Sequence, residues 1–261
     1  MADTANIISA LRRFFPAGWE FLIVPDASNE ELTAAANFVE TQGQKFILAD
    51  SDDTNQLANL EGLTRSILTQ SAHDQGEPSY LPADLVGNVA SKTVGSQTWN
   101  LQGGLKHTTP QDQLMFQGDQ LKPLRDMQVI TYAYQEGVPA TTSGKTASGQ
   151  YIDILHGVDW IRSELKSRIT AKMIELGKVP FDVNGINVIT SVADGVMTDA
   201  FANGIIALND DTKKGDYSLT SLQRDQLNAT DVSNRLYKGL SFKYRPSGAI
   251  EDAYIQGFVQ L

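Results

Sequence analysis

The sequence predicts a mixed α/β protein, and three patterns support this fold class. Residues 21–49 show a strand, a helix and a second strand, two long amphipathic helices follow residue 159, and the C-terminal residues show a β-hairpin pattern. We expect a βαβ-containing core in residues 1–100 and a part with two helices and a β-hairpin in residues 101–261. The length of 261 residues allows one large domain or two smaller ones.

The βαβ unit begins with a short apolar strand at residues 21–24. Ser28 and Glu31 stand three residues apart, which is the spacing of a capping box at a helix start. Gly43 can end this helix in the left-handed conformation, and residues 45–49 predict the second strand. Because two strands joined through a helix usually lie parallel with a right-handed crossover, we expect a parallel pair.

Four further elements follow the βαβ unit. Residues 54–72 carry leucine and isoleucine at helical spacing and predict a helix, whereas residues 74–82 are polar, contain glycine and proline, and predict a surface loop. Residues 109–112 predict a helix start, since proline suits the first turn and an acidic residue there complements the helix dipole. Residues 129–134 are rich in β-branched and aromatic side chains and predict a strand.

Two long helices are predicted in the C-terminal part. The first runs from Asp159 to Leu176, carries one apolar stripe, and ends at Gly177. The second places apolar residues from Ile186 to Ala200 on one side and is closed by an Asn-Gly pair at residues 203–204.

A β-hairpin is predicted at the C-terminal end, with strands at residues 240–244 and 249–261 and a turn at residues 245–248. An unpaired strand at a chain terminus is an aggregation hazard unless another strand covers it. Two hypotheses therefore stand for the last strand: it is an ordinary edge strand of its own sheet, or it pairs with another chain.

Composition argues against several classes of function. The net charge of -10, from 21 basic and 31 acidic residues, disfavours a sequence-independent nucleic-acid binder. The chain has no cysteine, and its three histidines lack the spacing of metal ligands, so we expect no metal site and no cofactor. No apolar run approaches the roughly 20 residues of a membrane span, and the first residues lack a signal-peptide pattern. We expect a protein made in the cytoplasm, without membrane insertion.

One catalytic alternative follows the second strand. Asp50 and Asp52 stand in an Asp-x-Asp-x-Thr pattern that resembles the first motif of haloacid-dehalogenase-type phosphatases. By that resemblance Asp50 would be the nucleophile and Asp52 the general acid, with Mg²⁺ offsetting the charge. Such a site also needs a lysine and a later acidic pair, but Asp210 and Asp211 follow a predicted helix end instead of a strand. Acidic clusters after strands are common as turns and helix caps, so we favour a protein that is not an enzyme.

Residues 143–149 are similar to a phosphate-binding loop because they contain a Gly-Lys pair. The spacing fails, since the glycine required five residues before Gly144 is replaced by Pro139. We interpret Gly144 and Gly149 as positive-φ positions in a connector, and we expect His156 to lie in the loop that follows.

Several segments carry patterns found together in one known family. They are residues 95–99, 105–110, 147–153 with 159–161, 178–181 before Gly185, and 247–250. Over residues 20–261 the chain resembles the contractile tail sheath proteins of tailed bacteriophages. Residues 21–53 also suit the α/β core of sheath proteins, which would make Asp50 and Asp52 part of a turn.

The resemblance implies a structural virion protein of the phage tail, assembled in the cytoplasm of the bacterial host. Sheath subunits form hexameric rings stacked helically around a tail tube. When the baseplate triggers contraction, the sheath drives the tube through the host envelope. The implied partners are further copies of the chain, the tail tube protein, and the baseplate and tail terminator proteins.

The resemblance also implies site residues, because sheath subunits are linked by terminal arms that add strands to a neighbour's sheet. The linking segment expected from this comparison is Ala253, Tyr254, Ile255, Gln256, Gly257, Phe258 and Val259. The first long helix is expected to face the tube through Arg162, Lys166, Arg168 and Lys172. Sheath relatives usually carry a longer N-terminal region that includes an arm, so the chain is either a minimal sheath protein or a fragment. If that arm is absent, residues 1–13 are expected to supply a second linking strand, or the lattice is joined differently.

Overall fold

The computed structural model describes residues 4–25, 27–71, 79–111 and 121–251. Contacts between residues divide the chain into two units. The first unit comprises residues 1–92, 97–153 and 249–261, and the second comprises residues 93–96 and 154–248. The chain therefore changes unit after residues 92, 96, 153 and 248, whereas the sequence predicts a single division after residue 100.

The described part of the first unit combines helices with short strands. Its elements are α1 (Thr4–Phe14), β1 (Phe21–Ile23), α2 (Asn29–Gln42), β2 (Phe46–Asp50), α3 (Thr54–Ala58), β3 (Ser66–Thr69), α4 (Leu81–Ala90), α5 (Leu121–Asp126), β4 (Tyr132–Gln135) and β5 (Val138–Thr141). The second unit continues with α6 (Ile152–Leu176), whose first two residues belong to the first unit, α7 (Val183–Ala202), β6 (Tyr217–Ser221), α8 (Ala229–Ser233) and β7 (Leu240–Tyr244).

Strands β1, β2 and β3 form a parallel sheet with β2 in the centre. Leu22 lies beside Ile47, and Leu48 lies beside Ile67. Both β2 and β3 are buried along their length, except for Asp50 at the end of β2. Strands that are buried on both faces read as continuous apolar runs, which is how residues 46–49 read in the sequence.

Helix α2 connects β1 to β2 and packs on this sheet through its buried apolar side. Ser28 and Glu31 form the predicted capping box, in which the Glu31 N–H donates to Ser28 Oγ and the Ser28 N–H donates to Glu31 Oε2. Gly43 follows the helix with a φ of 64°, the left-handed conformation expected for it. The strand, helix and strand predicted for residues 21–49 are therefore all present, and the two strands are parallel.

The helix predicted over residues 54–72 is wrong. Helix α3 ends at Ala58, and residues 66–69 form strand β3 instead. Gly62 turns the chain with a φ of 81° and donates its N–H to the Ala147 carbonyl at 3.0 Å. Ile67 and Leu68 are both completely buried. A short apolar run of this kind occurs both in strands and in buried helices, so the sequence alone does not distinguish them. Here the run pairs with β2 and forms a strand.

Two local predictions near polar stretches are also corrected. Gln111 forms a bridge to Ala133 and donates its N–H to the Tyr132 carbonyl at 2.8 Å, so the helix predicted to begin at Thr109 does not include Gln111. Pro82, predicted to lie in a loop, occupies the first turn of helix α4. Proline fits that position because the N–H it lacks would have no partner inside the helix.

Strand β4 covers the second half of the strand predicted at residues 129–134, and Ile130 adds a parallel bridge to Thr69. β4 pairs antiparallel with β5 through a two-residue turn. The turn residues Glu136 and Gly137 have φ values of 48° and 83°. Two consecutive positive φ angles are the requirement of the tight hairpin turn that matches the twist of the strands.

The second unit is built around helices α6 and α7. Asp182 caps α7 by accepting the N–H groups of Asn184 and Gly185, each at 3.0 Å. Gly185 packs so closely on the preceding loop that a Cβ there would lie 1.8 Å from the Pro180 carbonyl oxygen. The core of this unit contains Ile161, Met197, Ala200, Ile205 and Ile206.

Helix α6 starts at Ile152, seven residues before the predicted start at Asp159. His156 is therefore a buried helical residue and not the loop residue that we expected. Gly157, one turn into the second unit, faces Ile205, because a Cβ at this glycine would lie 2.8 Å from Ile205 Cγ2. The close approach explains why a glycine interrupts an otherwise good helical sequence.

Residues 4–14 form helix α1, and Leu11 of this helix is buried in the core of the first unit. Residues 4–13 therefore do not supply the linking strand expected for the N-terminal region. In the part of the chain that the structure describes, no helix is both long and apolar enough to cross a lipid bilayer.

Candidate assembly surfaces

Strands β6 and β7 pair antiparallel, with Leu219 opposite Phe242 and Tyr217 opposite Tyr244. Opposite residues at even spacing share one face of the sheet. Tyr217, Leu219 and Tyr244 pack from this face against the core of the second unit. No third strand joins this sheet within the described residues. Each strand therefore keeps an outer edge whose backbone groups can pair with an added strand.

Strand β7 matches the first strand of the predicted terminal hairpin, residues 240–244, and it pairs antiparallel with β6. Residues 249–251 are not in a strand, and the rest of the predicted second strand lies outside the described residues. Residues 245–250 follow as an exposed segment, and the Ile250 side chain is 88% exposed. The predicted linking residues, Ala253 to Val259, lie outside the described residues.

The four basic residues predicted to face a tube differ in their surroundings. Arg168 lies 2.5 Å from Asp199 Oδ2 and 2.7 Å from Glu164 Oε2, and these two carboxylates raise the pKa of its guanidinium group. Lys172 pairs with Glu175 at 2.8 Å. Arg162 and Lys166 are exposed. Two of the four basic side chains thus lie fully on the surface of α6.

The apolar stripe predicted on α6 packs in its first half only. Ile161 is buried, and Leu165 is partly buried against the same core. Further along, Met173 is 48% exposed and Leu176 is 44% exposed. The adjacent Ile174 is 75% exposed, so the C-terminal end of α6 presents apolar side chains to solvent.

Asp50 is the last residue of β2, beside Thr69 of β3, and Asp52 lies in the bend that follows. Thr69 Oγ1 donates to Asp50 Oδ1 at 2.6 Å, and Gln70 Nε2 donates to the Asp52 carbonyl at 3.0 Å. Asp53 caps α3 by accepting the Asn55 N–H at 2.9 Å. Within the described ranges, no group of three or more acidic or histidine side chains is arranged to hold a metal ion. The hydrogen bonds at Asp50, Asp52 and Asp53 hold the chain after β2 and cap helix α3. They give the phosphatase alternative no support.

The connector at residues 143–149 is closed by its own backbone hydrogen bonds. The Thr146 N–H donates to the Gln150 carbonyl at 2.8 Å, and the Ile152 N–H donates to the Gly144 carbonyl at 3.0 Å. Gly149 has the predicted positive φ, at 80°. Gly144 does not, and a Cβ there would lie 2.7 Å from the Asn100 backbone nitrogen. Gly144 is therefore needed for a close approach of two chain segments, which corrects our interpretation of it.

Comparison with known proteins bears on the fold. No family model matches the sequence. No curated protein matches it either. Among solved structures, a chain of the anti-feeding prophage baseplate is similar with a TM-score of 0.78 and 11% identity, covering 100% of this chain and 74% of that chain. The helical sheath of the same prophage in its contracted state gives a TM-score of 0.71 at 13% identity, covering 99% of this chain and 75% of that chain.

The chain has the fold of contractile sheath proteins. The sheath complex of an extracellular contractile injection system, in its contracted state, shares this sheath fold with a TM-score of 0.70 at 9% identity, covering 96% of this chain and 74% of that chain. At such identities the likeness is one of fold. The mixed α/β class and the sheath resemblance predicted from the sequence are confirmed at that level.

Sequence reasoning missed one of the two strands that make the exposed sheet of this sheath fold. Residues 217–220 alternate between larger apolar and small polar side chains and follow Gly215, which is the pattern of a half-buried strand. The strand β6 could therefore have been predicted from the sequence. Its pairing with β7 could not, because a helix and two loops separate the two strands and no short turn motif joins them.

Proposed function

We propose that this protein is a structural sheath subunit of a contractile phage-type tail and not an enzyme. The observation that carries the proposal is the similarity to the contracted anti-feeding prophage sheath over 99% of the chain. Copies of the chain would polymerise as stacked hexameric rings around a tail tube, after synthesis in the host cytoplasm. Contraction of this sheath would drive the tube through the host envelope. The tail tube protein, the baseplate and the tail terminator are the further partners in this proposal.

We assign the linkage between copies to two partners. The donor is the segment from Ala253 to Val259, and the acceptor is an outer edge of the β6–β7 sheet on a neighbouring copy. A strand added to that edge would satisfy backbone groups that no other described strand pairs with. Residues 248–250 follow the last hydrogen bond of this region, from the Ser247 N–H, and are exposed. They can change direction while the strand pairing is kept, which is what a lattice that moves during contraction requires.

We assign the tube-facing role to helix α6, with its residues in two groups. Arg162 and Lys166 are exposed and can meet an acidic surface, whereas Arg168 ties α6 to Asp199 of α7 and Lys172 pairs within α6. The first two residues would therefore contribute attraction to the tube, and Arg168 would keep the helix in place.

Negative-stain electron microscopy of the purified full chain tests the proposal most directly. We expect stacked rings or helical tubes, with a sedimentation coefficient that rises with protein concentration. A chain that stays monomeric at every concentration and salt condition would contradict the sheath role. Phosphate release with Mg²⁺, measured on the same preparation, addresses the phosphatase alternative.

A further inference from the structure

Residues 98–100 form a turn in the first unit that directs two hydrogen-bond donors to one side. Thr98 Oγ1 accepts the Asn100 N–H at 3.2 Å, and Asn100 Oδ1 accepts the Leu101 N–H at 2.9 Å. A hydroxyl that accepts one bond still has its hydrogen to donate, and an amide whose oxygen is engaged turns its NH₂ the other way. The Thr98 hydroxyl and Asn100 Nδ2 are thus oriented before any partner arrives.

The turn is fixed to the core beneath it. Trp99 is 1% exposed, and its carbonyl accepts Thr141 Oγ1 at 2.9 Å. The Thr98 carbonyl accepts Gln102 Nε2 at 2.5 Å. Thr141 and Gln102 are themselves buried. Donors held by a buried aromatic ring and by buried polar groups lose little freedom on binding, so the turn is a preorganised binding site for an acceptor.

The carboxylate of Glu251 fills this site. Thr98 Oγ1 donates to Glu251 Oε1 at 2.8 Å, and Asn100 Nδ2 donates to Glu251 Oε2 at 3.2 Å. Gly144 provides the space, because a Cβ there would lie 3.3 Å from Glu251 Oε1 and still closer to the Asn100 backbone. Hydrogen bonds to a charged acceptor are the stronger class, and each oxygen of the carboxylate has a donor of its own.

Glu251 is held just after a short stretch that is not. The chain is still fixed at Ser247, whose N–H donates to the Ile205 carbonyl at 3.0 Å. Residues 248–250 are exposed, and Ile250 beside the glutamate has 88% of its side chain in solvent. These three residues offer little apolar burial to hold the chain, so the Glu251 side chain supplies the next fixed point.

We propose that Glu251 is a latch that fixes the place at which the C-terminal segment joins the first unit. The purpose of the latch rests on the proposed function: if residues 253–259 link neighbouring copies, the latch sets the origin of the linking arm. A force on the arm would then act on the hydrogen bonds between Glu251 and the turn at residues 98–100, and not directly on β7. The latch itself is a property of the single chain.

Spin-label distances test the latch. The chain has no cysteine, so Val138→Cys and Ile250→Cys place two labels at positions that are 64% and 88% exposed, both in the first unit. The labelled full chain is diluted into an excess of unlabelled chain, so that only distances within one copy are measured. We expect a single narrow distance distribution, which Glu251→Ala and Thr98→Val each broaden at least about twofold. Glu61→Ala, which removes an exposed glutamate of the same unit, is the matched control and should change nothing.

Reversal of the donor and acceptor separates a latch from a general loss of structure. Asn100→Asp sets two carboxylates against each other and should broaden the distribution. Adding Glu251→Gln should restore the narrow distribution, because the new amide can donate to the new carboxylate while Thr98 still donates to its oxygen. A distribution that stays narrow in Glu251→Ala overturns the proposal. So does a double variant that keeps its circular-dichroism spectrum but fails to regain the narrow distribution.

The latch and the sheath role can fail separately. If the unsubstituted chain forms no polymer in the electron microscope, the proposed function falls, and the distances within a single copy still decide the latch. If it polymerises and Glu251→Ala leaves the distances unchanged, the latch falls and the sheath role stands.

Discussion

Asp84 of helix α4 accepts two hydrogen bonds from His107, one from the backbone N–H at 2.7 Å and one at the ring Nδ1 at 2.8 Å. The Thr108 hydroxyl donates a third, at 2.9 Å. Burial by itself would raise the pKa of Asp84, but the hydrogen bonds from His107 and Thr108 outweigh it and leave the pKa below its usual value. One carboxylate thus ties the segment at residues 107–108 to α4.

The lowered pKa predicts a dependence of stability on pH. The ionised Asp84 stabilises the folded chain above the ordinary aspartate pKa of about 3.9, and this contribution is lost as the pH falls through the lower pKa of the folded state. Asp84→Asn should reduce the free energy of unfolding at pH 7 by about 1–3 kcal/mol. Urea unfolding at pH 7, 5 and 3 should show the difference between variant and parent shrinking at the lowest pH. An equal difference at all three would contradict this role for the charge.

Two glycines of helix α7 should respond to alanine in opposite directions. A Cβ at Gly185 would lie 1.8 Å from the Pro180 carbonyl oxygen, so the helix start or the loop must move, at a cost of about 1–3 kcal/mol. Gly195 has no atom within 4 Å of the same position, and alanine there should stabilise the helix by about 1 kcal/mol. Thermal unfolding followed by circular dichroism measures both. If Gly185→Ala unfolds at or above the temperature of the parent, the packing described for the start of α7 is wrong.

Asp50 should prove to be a structural residue. Asp50→Asn weakens the hydrogen bond from Thr69 but keeps an acceptor, so we expect polymers that look unchanged in the electron microscope. Neither the parent nor the variant should release phosphate from p-nitrophenyl phosphate in the presence of Mg²⁺, with Asp225→Asn as an exposed control. A Mg²⁺-dependent release that disappears only in Asp50→Asn would restore the phosphatase interpretation.

Removing residues 253–261 should abolish polymerisation and leave the fold intact. The truncated chain keeps Glu251 and the whole of the β6–β7 sheet, so both the latch and the acceptor edge remain. Sedimentation velocity should show monomer where the parent forms large assemblies, and the circular-dichroism spectra should match. Normal tubes from the truncated chain would remove these residues from the linkage.

The parts of the fold that the sequence predicted well carry local signals. Ser28, Glu31 and Gly43 mark both ends of α2, and an apolar stripe closed by an Asn-Gly pair marks α7. Strand β3 lacks such a signal. Ile67 and Leu68 are buried because β3 pairs with β2, and the residues around them show no periodic pattern that would predict a strand.

The candidate surfaces depend still more on distant residues. The basic residues of α6 were visible in the sequence, but only the structure pairs Arg168 with Asp199 of another helix. No pattern near Glu251 indicates that its side chain is bound. Its partners are Thr98 and Asn100, and contacts between such distant positions leave no trace in a short window of sequence.

The hydrogen bond between Thr98 and Glu251 joins positions 153 residues apart, and residues 154–248 of the second unit lie between them. During translation the ribosome releases those residues before Glu251, and domains tend to fold as they emerge. The latch can therefore close only after residues 154–248 have been synthesised. Until translation has passed Glu251, the site at residues 98–100 lacks its carboxylate and the C-terminal segment is not positioned.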